Sequence, residues 1–254
     1  MMFRHLLLER WRAKRPSGAV VILGMHRSGT SSLAGCLEQC GLDLGEVSHW
    51  NYHNRKGNRE HPSVISLNKK VLVASGGTWD KPPETIVWKK ELADLRDEWI
   101  KQRSQQASRR WGFKDPRTLV TLPFWLEGLA DVQLVGTYRH PASVAKSLNK
   151  RGSIDMAKGM LLWRSYNQKL LDIWDRTPFP LVSFDVTAEQ YKSNVQTIAR
   201  FLQLPDCDIG ADFFETSLRH EESLQDEDTI EEEDRKIYQR LKTIYRSLDP
   251  AVPE

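Results

Sequence analysis

The chain has 254 residues, 39% of them hydrophobic and 28% charged, a balance that fits a soluble globular protein of one large α/β domain or two small ones. No apolar run approaches the ~20 residues that cross a bilayer as a helix. A net charge of +3 is too mild an excess to argue for nucleic acid, and it suits an anionic small ligand.

The opening stretch, MMFRHLLLERWRAKRP, carries an apolar patch too short and too charged for a signal-peptide core. Residues 1–17 therefore read as a basic, amphipathic helical extension lying against the body, or else on a membrane surface. Ala19–Leu23 is the first predicted strand, and Ser31–Cys40 a helix that stops at Gly41. Gly45–Pro62 is polar, without helical or strand period, and reads as a long loop of the kind that carries function. Helices follow at Ser63–Ala74 and Pro83–Gln106, then a strand at Trp111–Lys114 and a helix at Leu119–Leu129. Val132–Tyr138 is the third strand, trailed by helices Pro141–Asn149 and Met156–Trp174. Pro180–Phe184 is the fourth, followed by a helix at Ala188–Leu202. The acidic run His220–Asp234 reads as a solvated surface linker into a last helix, Glu231–Leu248.

Strands alternating with helices imply crossover units and a mostly parallel sheet. The expectation is one α/β domain over 1–254, in three layers with helices flanking the central sheet. Such sheets bind ligands beyond the carboxyl ends of their strands. Cys36, Cys40 and Cys207 show no metal-type spacing. Cys36 and Cys40 read as core thiols on a helix, which suggests a reducing compartment, the cytoplasm.

Two stretches carry chemistry. Gly24-Met25-His26-Arg27-Ser28-Gly29-Thr30-Ser31 nearly fits the phosphate-binding pattern G-x-x-x-x-G-K-[ST], with Thr30 in place of the lysine. It joins a buried strand to a helix, so free backbone N–H groups and the positive end of the helix dipole face the turn. Arg27 adds a donor fork, and Ser28, Thr30, Ser31 and Ser32 add hydroxyls. The second stretch is TYRHPASVAKS, Thr137–Ser147. Arg139 follows a strand, Pro141 suits a first helical turn, and Ser143 and Ser147 share a helix face. Two anion sites on one sheet edge suit a ligand with two separated phosphates.

These motifs resemble those of sulfotransferases that use 3′-phosphoadenosine 5′-phosphosulfate (PAPS). In that family an R-S-G-T loop holds the 5′-phosphosulfate, and here it is Arg27-Ser28-Gly29-Thr30. The family's 3′-phosphate site is an arginine with a serine eight positions on, matched by Arg139 and Ser147. A K-D-P-R motif of the bacterial branch is matched by Lys114-Asp115-Pro116-Arg117. Its N-P-K-G-glutamate motif is matched in part by Asn54-Arg55-Lys56-Gly57-Asn58-Arg59-Glu60, without the proline or the usual aromatic. The resemblance spans about residues 19 to 205 and includes LVSFDV and IARFLQLP as closing strand and helix. It implies a P-loop NTPase-like α/β fold and transfer of a sulfuryl group from PAPS, leaving adenosine 3′,5′-bisphosphate, to a hydroxyl or amine of a carbohydrate, lipid, peptide or metabolite.

Sulfuryl transfer builds charge on the leaving oxygen and the equatorial oxygens. Cations preset there stabilise the transition state more than the ground state. Arg27, the loop N–H groups and Lys114 are the candidates, and with these cations no metal is required. Glu60 is the expected base for the acceptor's proton, with His61 and His53 as rivals because histidine titrates near neutral pH. Arg117 reads as an ion-pair residue or loop anchor. Trp50, Tyr52, Trp79 and Trp88 either line an acceptor pocket, stack on adenine or pack the polar loop onto the body, and Trp163 and Tyr166 read as core. Arg219 would reach the nucleotide if a late basic loop exists, although the R-K-G of cytosolic relatives is absent. Two alternatives remain: a P-loop kinase, which wants a lysine at position 30 and an acid for Mg²⁺, and a noncatalytic nucleotide-binding module.

Overall fold

The structure, a computed structural model, describes residues 18–48, 57–150, 152, 154–207, 209 and 230–248. The N-terminal extension, Trp50, Tyr52, His53, Asn54, Arg55, Lys56, Arg219 and the first ten residues of the acidic run lie outside them. The elements in order are β1 (Ala19–Leu23), α1 (Thr30–Gln39), α2 (Pro62–Ala74), α3 (Lys90–Gln106), β2 (Gly112–Lys114), α4 (Thr118–Gly128), β3 (Val132–Tyr138), α5 (Pro141–Asn149), α6 (Met156–Arg176), β4 (Leu181–Ser183), α7 (Ala188–Phe201) and α8 (Glu232–Leu248).

The four strands run in the order β2-β1-β3-β4, and every pair is parallel. Each residue of β1 is fully or almost fully buried, as a central strand covered on both faces must be. Alternation along the strand divides the core in two. Val20 and Ile22 pack with Leu33 and Leu37 of α1 and Val195 and Ile198 of α7. Val21 and Leu23 join the other cluster, with Phe113, Trp125, Trp163 and Leu241. Helices on both sides of a parallel sheet make the expected three layers. The chain leaves β1 for β2 on one side and then crosses to β3 on the other, so the strand order reverses at β1. That places the crevice at the carboxyl end of β1. Register aligns Ile22 with Lys114 and Leu23 with Gly136, so the loops leaving β1, β2 and β3 emerge together.

Three expectations change. Helix α3 starts at Lys90 rather than Pro83. The Val87 N–H and C=O both bond the Ser75 hydroxyl, at 2.9 and 3.1 Å, which removes them from a helical ladder. Trp88 then packs on Phe124 and donates to Glu127, which places it on the flank beside Lys69 and Val73. Second, the acidic run does not end as a free linker: Asp234 docks on the body, although Glu231 and Glu233 stay exposed. Asp234 is fully buried and accepts Arg164 Nε at 2.8 Å, while Glu231 and Glu233 take the other guanidinium nitrogens at 2.5 Å. These contacts pin the start of α8 to α6. Third, Cys40 is not a thiol. It is disulfide-bonded to Cys207 across 167 residues, with Cα atoms 5.0 Å apart, while Cys36 is buried outside the bond. Disulfides persist in oxidising compartments, so the ground for a reducing, cytoplasmic setting is gone. No helix among the described residues is long and apolar enough to cross a membrane.

Candidate active site

The glycine-rich loop closes tightly over the end of β1. Gly29 is the N-cap of α1 at φ 86°, and a Cβ there would lie 2.3 Å from Phe184 Cδ2. Only glycine fits both the left-handed backbone and the contact. Gly24 faces the same limit, because a Cβ would come 2.6 Å from the Thr137 carbonyl oxygen. Arg27 adopts φ 67° without being glycine, a conformation that carries strain. Among the described residues no side chain caps α1, so the N–H groups of its first turn suit a ligand or water. Ser28 is fully buried, and the hydroxyls of Ser28 and Ser32 are buried without a hydrogen-bond partner among the described residues. Orphaned donors around a helix start suit an oxyanion.

The second motif meets the first directly. Arg27 Nε donates to Ser147 Oγ at 2.8 Å. Pro141 is the first residue of α5, which carries Ser147 toward the loop. Arg139 lies just beyond β3, where its Nε donates to Asp185 Oδ1 at 3.3 Å and its guanidinium sits 5.2 Å from the Phe184 ring centroid. Thr137 Oγ1 donates to the Ser28 carbonyl at 3.0 Å, a further tie between β3 and the loop.

Lys114, the last residue of β2, is buried beneath the same edge. Its Nζ donates to Glu60 Oε1 at 2.8 Å, to Ser31 Oγ at 3.2 Å and to the Asn58 carbonyl. Burial pushes the Lys114 amine below its usual pKa, and Glu60 opposes that shift. Ser31 Oγ donates in turn to the Asn58 carbonyl at 3.0 Å. Lysine, glutamate and phosphate-loop serine thus form one network. It opens on a cleft of about 260 Å³ that Arg27, Thr30, Ser31 and Glu60 line together with His26, Trp79, Arg117 and Leu148.

His61 goes elsewhere. It is the N-cap of α2, where Nδ1 accepts the Ser63 N–H at 3.2 Å and the ring packs edge-on against Trp99. Burial, helped by Arg103, lowers its pKa. It is not among the residues that line the cleft. Arg117 does pair with an acid, donating Nη1 to both oxygens of the fully buried Asp115 at 2.9 and 3.0 Å. Trp163 and Tyr166 are core, but each also supports the site. Trp163 Nε1 donates to the Arg139 carbonyl at 2.8 Å, and Tyr166 donates its hydroxyl to the Trp79 carbonyl at 2.7 Å. Sequence reasoning missed His26 as a wall residue, its ring centroid 4.6 Å from that of Trp79. It also missed Asp185, although a polar residue just past a strand's carboxyl end is where a site residue of this fold belongs.

No protein-family model matches the chain, and no curated protein matches it significantly. Among solved structures it is similar to the sulfotransferase domain of the Synechococcus PCC 7002 olefin synthase. The two are 16% identical, with a TM-score of 0.50 over 95% of this chain and 92% of that one. It is also similar to sulfotransferase STF9 from Mycobacterium avium, at 14% identity, TM-score 0.49, and 95% and 79% coverage. Sulfotransferase STF1 from Mycobacterium tuberculosis H37Rv matches at 14% identity, TM-score 0.45, and 95% and 82% coverage. The first likeness is one of fold: a parallel α/β sheet of the sulfotransferase, P-loop-like kind.

Proposed function

We propose that the protein is a PAPS-dependent sulfotransferase acting on a hydroxyl or amine of a small-molecule, glycan, lipid or peptide acceptor. The observation that carries this reading is the meeting of the loop, α5 and β2 at one cleft, through Arg27–Ser147 on one side and Lys114–Glu60 on the other. The donor set fits the co-substrate, since two orphaned buried hydroxyls and an uncapped helix start surround the loop.

PAPS, when bound, supplies the activated sulfuryl group. The loop N–H groups, Arg27, Ser28, Gly29, Thr30, Ser31 and Ser32 would hold its phosphosulfate end, and Arg139 with Ser147 its 3′-phosphate. Lys114 is bonded to both Ser31 and Glu60, so its ammonium stands between the loop and the carboxylate. There it can donate to an oxygen that gains charge as the leaving group departs. Glu60 lines the cleft and can take the acceptor's proton. These protein cations supply the charge without a metal.

The kinase alternative is weaker. Position 30 holds threonine, and Asp115, the acid a kinase would need for Mg²⁺, is fully buried and committed to Arg117. The test is a thermal shift with adenosine 3′,5′-bisphosphate against ATP with Mg²⁺. Ligand at a hundred times its Kd adds about 2.7 kcal/mol of stability. Protection by ATP with Mg²⁺ and none by the bisphosphate would end the sulfotransferase reading. Mass spectrometry of cell extract incubated with the enzyme and sulfur-labelled PAPS would identify the acceptor.

A further inference from the structure

The exit of β4 touches both anion cradles. Phe184 and Asp185 directly follow Ser183, the last residue of that strand, and the Phe184 N–H continues the pairing by donating to the Tyr138 carbonyl at 2.9 Å. The Phe184 ring fills the space that a side chain on Gly29 would take, and it lies 5.2 Å from the Arg139 guanidinium. Asp185 grips the turn after β3 at two points. Oδ2 accepts the His140 N–H at 2.6 Å, and Oδ1 accepts Arg139 Nε at 3.3 Å. The Arg139 side chain is 15% exposed, so it is held at the surface of the site. Among the described residues Asp185 takes only its Nε, which leaves the two Nη nitrogens for a ligand. That is the end of a guanidinium that grips an oxyanion through two parallel bonds.

We propose that Asp185 is a positioning residue for the donor's 3′-phosphate, fixing Arg139 by its Nε edge while Phe184 supports one face. The inference rests on the donor reading above. An unrestrained arginine gives up rotamer freedom when it binds, and a pre-aimed one does not. Loss of the carboxylate charge alone would tighten anion binding, so orientation must outweigh that gain.

Titration calorimetry with adenosine 3′,5′-bisphosphate and with 5′-AMP decides it, on wild type, Asp185→Asn, Arg139→Ala and the double variant. Asparagine keeps an oxygen for the His140 N–H. Wild type should prefer the bisphosphate. Asp185→Asn should cut that preference about five- to tenfold while 5′-AMP affinity stays within about twofold. In the Arg139→Ala background the same change should cause no further loss of preference, only the small gain from removing a negative charge, which a merely structural role would not produce. An unchanged or increased preference in Asp185→Asn overturns the proposal, as does an equal loss for both nucleotides. Should Asp185→Asn not fold, Phe184→Leu takes its place, with the same selective loss expected and the same results overturning. A wild type that does not distinguish the two nucleotides sinks the donor reading itself.

Discussion

Arg27 Nε and Ser147 Oγ, 120 residues apart in sequence, are joined by a 2.8 Å hydrogen bond. The bond closes the gap between the loop after β1 and the helix after β3, so two motifs separated in the chain become one surface. Holding Arg27 there requires a backbone φ of 67°, which glycine adopts freely and alanine, like arginine, only with strain.

Two substitutions at this position should therefore diverge in stability and agree in binding. Arg27→Gly should be more stable than Arg27→Ala by about 1 kcal/mol, measured by urea unfolding, because it removes the strain along with the side chain. Both should weaken adenosine 3′,5′-bisphosphate by about 1.5–3 kcal/mol in calorimetry, the worth of a charged donor. An Arg27→Gly protein that binds as wild type does would remove Arg27 from the donor site.

Glu60 and Lys114 should separate chemistry from binding. Glu60→Gln keeps the shape of the partner that Lys114 bonds at 2.8 Å but cannot take a proton. Turnover with labelled PAPS should fall by about 10²–10⁴-fold while bisphosphate affinity holds. Lys114→Met fills the same buried space without the charge and should also abolish turnover. Retention of turnover in either variant would remove that residue from the chemical step, whereas a wild type that binds the bisphosphate but never turns over PAPS would favour the nucleotide-binding module.

The sheet was legible in the residues because each strand is an apolar run too short to be anything else, and the glycines of the loop announced its turn. The partners were not legible. That Lys114 bonds Glu60 depends on how a polar loop returns over β2, and no local pattern encodes that return. The Cys40–Cys207 bond depends on where the chain after α7 comes back to the end of α1. Reading helix α2 from Ser63 missed a signal that was present. Pro62 suits the first helical position, which makes His61 the N-cap and gives it a structural task.

The disulfide should be visible both chemically and thermodynamically. Under denaturing, non-reducing conditions only Cys36 should alkylate, and all three cysteines should do so after reduction. Cys207→Ser should lower stability by about 2–5 kcal/mol, since the bond closes a loop of 167 residues in the unfolded chain. Stability that is indifferent to reductant would mean that the bond does not form in solution.

His61 offers a test by pH. Its Nδ1 accepts the Ser63 N–H, which requires that nitrogen to be unprotonated. Burial and the nearby Arg103 hold its pKa below 6.5 in the folded state. As pH falls through 6.5 the unfolded chain takes the proton first, so stability present above that pH is lost on the way down to the lower folded pKa. His61→Asn supplies a good N-cap that does not titrate, and His61→Ala supplies none. Urea unfolding from about pH 7.5 to about pH 5 should therefore show a shallower acid loss for His61→Asn than for wild type. At pH 7.5, His61→Ala should be less stable than His61→Asn by about 0.5–2 kcal/mol. Turnover of His61→Asn should stay near wild type if Glu60 takes the acceptor's proton. A loss of about 10²-fold or more would transfer that role to the histidine.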